Sequence, residues 1–149
     1  MAWNIYLSGE IHTDWRKEII DEVAKMSLNV NFYYPVLDHQ ASDDCGGTLL
    51  GGEEKKFWYD HKGAKLNALR TQNAIKKADI VIVRFGQKYK QWNAAYDAGF
   101  AVALGKSLIV IHEQEHQHAL KEVDAMALAV LDDCMKVPRI LSYVIKGML

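Results

Sequence analysis

The stretch Ala78–His112, ADIVIVRFGQKYKQWNAAYDAGFAVALGKSLIVIH, decides the fold. Ile80-Val81-Ile82-Val83 and Leu108-Ile109-Val110-Ile111 are short, all-apolar runs, the pattern of strands covered on both faces. Between them lie a polar loop and a helix from about Asn93 to Leu104, stopped by Gly105 with Lys106 at its negative end. Strand, loop, helix, tight turn and strand make one parallel β-α-β unit. Ligands in open α/β sheets bind beyond the carboxyl ends of the strands. The loop after Val83 and the start of the helix therefore hold the candidate site.

That helix is rich in small residues: Ala94, Ala95, Ala98, Gly99, Ala101 and Ala103. A helical glycine costs about 1 kcal/mol against alanine, so Gly99 predicts close backbone packing. With Asn93 as the cap, Asp97 lies one turn in, on the stripe of Asn93. The positive helix end then keeps its carboxylate ionised. An ionised, aimed carboxylate is what a glycosyl-transfer nucleophile requires. Acids in first turns also serve simply as partners of the helix dipole, and the spacing alone leaves both readings open.

Outward from this unit, Trp3–Leu7 reads as a first strand ended by Ser8-Gly9-Glu10, and Thr13 as the cap of a helix reaching about Met26. Val30–Tyr34 is a second strand stopped by Pro35. Residues 36–63 hold two Gly-Gly pairs, no clear periodicity and many polar side chains. They read as a long loop, a lid or subunit-contact segment, with a short helix around Glu53–Tyr59. Ala64–Lys77 is a helix, Gln117–Asp124 a short one, Ala127–Leu131 a fifth strand, and Val137–Gly147 a terminal helix in which Pro138 is tolerated near the start.

Five strands alternating with helices predict a flavodoxin-like, doubly wound α/β fold. It is a three-layer α/β/α sandwich with a five-stranded parallel sheet in order 2-1-3-4-5. Ser8-Gly9-Glu10 and Arg84-Phe85-Gly86 would then border one crevice at the switch point between the first and third strands. The 149 residues suit one domain.

Half of the residues are apolar and a quarter are charged; 18 basic and 19 acidic residues leave a formal charge of −1. This balance argues against a broad nucleic-acid or anionic-membrane surface. Cys45 and Cys134, without CxxC spacing, fit a reducing compartment. MAWNIYLSGE is not a signal peptide, and no apolar run approaches the roughly 20 residues that span a bilayer. A soluble, cytoplasmic protein is expected.

His112-Glu113-Gln114-Glu115-His116 matches H-E-x-x-H by letter. The motif works only when one helix face presents both histidines, and His112 directly ends a strand. No metal is expected. The first turn, SGEIHTDW, is neither G-x-G-x-x-G nor a P-loop, so no dinucleotide cofactor is expected either. Arg84 would pair with Asp79 or another acid, or meet a ligand phosphate or carboxylate by its fork geometry. Tyr34 and Trp92 would stack on a base or belong to the core.

Beyond these patterns, IYLSGEIHTDW, ADIVIVRFG, YDAGFAVALGKSLIVI and the tail ALKEVDAMALAVLDD resemble the nucleoside 2-deoxyribosyltransferase-like superfamily, closest to its small YtoQ-type branch. The resemblance covers essentially the whole chain. It implies a flavodoxin-like fold, a homo-oligomer, and action on the N-glycosidic bond of nucleosides. A glutamate of that superfamily attacks the anomeric carbon, and the matching residue is Asp97. Gln91 stands where an acid near the sugar hydroxyls is common, and Asn93-Ala94 replaces a Gly-Thr or Gly-Leu pair.

Two functions follow. In the first, the chain cleaves or transfers the glycosidic bond of a nucleoside or nucleoside 5′-phosphate. Asp97 is the nucleophile, and Glu10 or Asn93 handles protons and hydroxyls. Ser8, Gly9, Arg84, Gly86 and Gln91 line the sugar or phosphate end, with Tyr34 or Trp92 at the base. In the second, it is a non-catalytic module that binds a nucleotide-like ligand or acts in assembly.

Overall fold

A computed structural model describes residues 1–148. Strands β1 (Trp3–Gly9), β2 (Val30–Tyr33), β3 (Ile80–Arg84), β4 (Ser107–Ile111) and β5 (Ala129–Leu131) form one parallel sheet. Their order is β2-β1-β3-β4-β5, the flavodoxin-like arrangement. The helices are α1 (Trp15–Lys25), α2 (His39–Leu50), α3 (Lys56–Lys77), α4 (Trp92–Ala103), α5 (Gln117–Ala125) and α6 (Val137–Lys146). Among the described residues no helix is long and apolar enough to cross a membrane.

Strand alternation divides the core in two. Ile5, Leu7, Ile80, Ile82, Ile109 and Ile111 face Trp15, Ile19 and Val23 of α1 and Val137 and Leu141 of α6. Tyr6, Val81, Val83, Leu108 and Val110 face Ile75 of α3 and Ala94, Ala98 and Ala101 of α4. Each fully buried Ile or Val contributes about 1.5–3 kcal/mol, so both faces anchor the sheet. Ser8 pairs in register with Val83, and Gly9 with Arg84. Tyr6 and Ser8 therefore project toward α3 and α4, whereas Arg84 projects toward α1 and α6.

Gly9 carries the turn out of β1. Its φ is +112°, and a Cβ there would lie 2.0 Å from the Arg84 carbonyl oxygen. The next residue, Glu10, donates its N–H to that same oxygen at 3.1 Å. Only glycine fits such a close crossing of β1 and β3.

The 36–63 segment is not the long loop that its Gly-Gly pairs predict. It is α2, capped by Asp38, whose side chain accepts from the Ala41 N–H at 2.7 Å, followed by the first third of a 22-residue α3. The glycines act in packing. A Cβ on Gly46 would lie 2.4 Å from Gly63 N and 2.6 Å from Lys62 Cβ, so the paired helices cross at Gly46 and Gly63. Gly99 differs in the opposite sense: a Cβ there would meet nothing within 4 Å. Close packing of α4 rests on Ala94, Ala98 and Ala101 instead. Thr13 does not cap α1 either, because its hydroxyl turns back to Glu10.

Candidate active site

β1 works as a ruler for the site. Its two same-face hydroxyls, Tyr6 and Ser8, each tie a different helix to the sheet. Tyr6 donates to Thr71 Oγ1 of α3 at 3.3 Å, and Ser8 Oγ donates to Asp97 Oδ2 of α4 at 2.6 Å. Between these helices, α2 and the end of β1 opens a cavity of about 960 Å³. That size is at the upper end of small-molecule sites. It lies at the switch point, where the strand order reverses.

Asp97 is the sixth residue of α4, whose cap is Gln91, so it sits deeper in the helix than a cap at Asn93 predicts. Asn93 and Asp97 remain on one stripe and both line the cavity. Burial pushes the Asp97 carboxyl up to about 6, and the Ser8 hydrogen bond only partly opposes this. The anion still predominates at pH 7. Burial, rather than the helix dipole, governs this group. Among the described residues Oδ1 has no protein donor, which leaves it to whatever occupies the cavity. Burial also pushes the Tyr6 hydroxyl up to about 12, so it stays neutral.

Glu10 behaves differently. Its side chain is 2% exposed, and its Oε2 accepts from the N–H groups of His12 at 2.7 Å and Thr13 at 3.1 Å. The Thr13 hydroxyl donates to Oε1, and the Arg84 guanidinium lies 3.2 Å from the same oxygen. Burial pushes the carboxyl up, but the Thr13 hydroxyl, the His12 N–H, Arg84 and the Thr13 N–H together hold it below its usual value. In this arrangement Glu10 holds the β1–α1 turn rather than offering a free acid to the cavity.

Seven residues singled out from the sequence meet on the cavity wall: Ser8, Gly9, Glu10, Gln91, Trp92, Asn93 and Asp97. Gln91 spends its amide within its own loop, accepting from Gly86 N–H at 2.7 Å and donating to Lys88 O at 2.8 Å. Trp92 is 75% exposed at the rim. Three others fall outside the lining. Arg84 points to the opposite sheet face and pairs with Glu10; its Nε–H is not aimed as a hydrogen bond, so the contact is Coulombic. Gly86 backs onto Glu10, where a Cβ would meet Glu10 Cγ at 2.7 Å. Tyr34 lies just past the end of β2, and Pro35 and Val36 reach the cavity in its place.

Sequence reasoning missed Tyr6, Asn67, Arg70 and Thr71, all of which line the cavity. Tyr6 was findable, since it stands two residues before Ser8 on the same strand face. The α3 residues carried no such signal. His112 of the HExxH-like string places Nε2 2.8 Å from an Asp124 carboxylate oxygen and Nδ1 2.7 Å from the Glu113 carbonyl. His116 belongs to a separate 3-10 turn, so the two histidines share no helix face. Among the described residues no cluster of three His, Cys, Asp or Glu side chains is placed to hold a metal.

The chain has relatives among known proteins. The sequence model of a family described as nucleoside 2-deoxyribosyltransferase YtoQ matches residues 6–145. The uncharacterized protein YtoQ of Bacillus subtilis (strain 168) is 38% identical over 143 residues, covering 96% of this chain and 97% of that protein.

Proposed function

The chain belongs to the nucleoside 2-deoxyribosyltransferase YtoQ family, and from that premise we propose that it cleaves or transfers the N-glycosidic bond of a nucleoside-type substrate with Asp97 as nucleophile. One observation carries this reading. Asp97 is a largely buried carboxylate with a single side-chain donor, facing a cavity of about 960 Å³. Structural carboxylates with comparable burial are usually surrounded by donors.

In this reaction an Asp97 oxygen attacks the anomeric carbon as the carbon–nitrogen bond breaks. The base departs with the bonding electrons and takes up a proton, and a glycosyl ester forms on Asp97. Water or a second base then resolves the ester. Ser8 holds Oδ2 and leaves Oδ1 to attack. Asn93, one turn earlier on the same stripe, addresses the sugar hydroxyls, and Trp92 at the rim addresses the base. An aspartate reaches one methylene less far than a glutamate; Ala94 and Ala98, both buried, let α4 lie close to the sheet and reduce that deficit.

Base release from a panel of nucleosides and their 5′-monophosphates tests the reading. The wild type should release base, with an acidic limb near pH 6 as Asp97 protonates. Asp97→Asn should lose on the order of 10³-fold or more in kcat. No turnover of any panel member at high enzyme concentration would sink it. A second reading, ligand binding without turnover, draws on Gln91: with its amide consumed by the loop, no second acid stands at that position. Ligand-induced thermal stabilisation that persists in Asp97→Asn, without base release by the wild type, would select it.

A further inference from the structure

We propose that Arg70 is a phosphate-binding residue that makes the cavity select nucleoside 5′-monophosphates over free nucleosides; this rests on the Asp97 reading above. Most of the cations around the site are already committed. The Arg16 guanidinium is buried against the carbonyls of Leu7, Gly9 and Glu10, at 3.1, 3.0 and 2.6 Å. Arg84 lies against Glu10. Lys56 pairs with Asp60 at 2.8 Å, and His39 stands 3.7 Å from Asp43. Lys90 lies over the Trp92 ring at 5.9 Å. Arg70 lines the cavity and has no hydrogen-bond or ion-pair partner among the described residues.

A phosphate in this fold would ordinarily go to the N–H groups at the first β–α turn. Here the Glu10 carboxylate already takes the His12 and Thr13 N–H groups. That turn supplies its own anion and would repel a second one. A phosphorylated substrate must find its cation elsewhere on the wall, and α3 supplies one.

The carboxylate and the guanidinium share one cavity. Thr71, the neighbour of Arg70, is fixed to Tyr6, and Asp97 is fixed to Ser8. Tyr6 and Ser8 are two residues apart on one strand, about 7 Å. In this cavity of about 960 Å³, which Asp97 and Arg70 both line, the proposed arrangement sets C1′ at Asp97 and the phosphate at Arg70. A phosphate monoester carries about −1.5 to −2 charges at neutral pH, and the planar guanidinium fork matches two of its oxygens.

The test compares kcat/KM for matched nucleosides and 5′-monophosphates in the wild type, Arg70→Ala and Arg70→Lys. In parallel, thermal shifts with inorganic phosphate and with the monophosphates are read in the same proteins and in Asp97→Asn. Wild type should prefer monophosphates at least tenfold. Arg70→Ala should bring that ratio close to one by raising KM for monophosphates roughly 10–100-fold, with kcat changed far less. Arg70→Lys, with the charge but not the fork, should fall between. Monophosphates should stabilise the wild type and Asp97→Asn but not Arg70→Ala, a result that stands even without turnover. Equal turnover of both substrate forms in the wild type and Arg70→Ala would overturn the assignment and leave Asp97 standing. So would thermal shifts that are equal in the two proteins, or absent at millimolar ligand.

Discussion

Glu10 and Asp97 are both acids near the carboxyl end of β1, both shielded from solvent, and their protonation is displaced in opposite directions. Around Glu10 the fold gathers two backbone N–H groups, a hydroxyl and a guanidinium, and together they outweigh the cost of burial. Around Asp97 it gathers one hydroxyl and a cavity, and burial prevails. Burial alone therefore does not set the behaviour of these carboxylates; the number of donors does. A satisfied carboxylate organises a turn, whereas an under-satisfied one is available to a ligand.

The largest separation between the two acids should be in activity. On the proposed reaction, Asp97→Asn should remove base release, while a Glu10 variant that remains folded should retain much of it, because the Glu10 carboxylate is taken up by the β1–α1 turn. Equal losses in both would erase the distinction.

Stability should separate them next, with Glu10 losing most. Glu10→Ala leaves the Arg84 charge and two N–H groups without their acceptor, at a cost of about 3 kcal/mol. In a chain of this size that lowers Tm by roughly 5–10 °C at pH 7. The folded pKa of Glu10 is depressed, so its contribution is present above the unfolded value of 4.5 and lost as pH falls through the folded one. The gap from wild type should therefore narrow in acid. A gap independent of pH would contradict the charge-based role.

Asp97→Asn should have the smaller effect, with the opposite sign. The folded pKa of about 6 lies above the ordinary 3.8, so the folded state binds the proton more tightly than the unfolded chain. The resulting penalty is absent below about pH 4, grows through that window and is complete above pH 6. Removing the charge should stabilise the protein by at most about 3 kcal/mol at pH 8, and by nothing measurable at pH 4. Differential scanning calorimetry at the two pH values measures this. Destabilisation at pH 8 would mean that Asp97 is a structural acid after all.

The strands were legible because a parallel sheet demands apolar runs on both faces, and Ile80–Val83 and Leu108–Ile111 are such runs. The Asn93–Asp97 stripe was legible because helical spacing is local. α2 was not, since Gly46 reads as a loop residue until Gly63 of α3 is set against it. The place of Arg84 at a strand end suits either an acid partner or a ligand, and its partner is Glu10. Counting alternate residues along β3 from Val83, which faces α4, would have assigned Arg84 to the far side of the sheet. Arg70 could not be found this way: it lies on a helix whose exposed face carries no periodic mark, and only the packing of α3 turns it toward the cavity.

The contrast between the two carboxylates can be measured without knowing the substrate. A ¹³C NMR titration of the side-chain carboxyls, assigned through Asp97→Asn and Glu10→Gln, follows both acids in one experiment. Asp97 should titrate near 6 and Glu10 below its usual 4.5. An Asp97 carboxyl that titrates at or below the ordinary 3.8 would contradict the account at its centre.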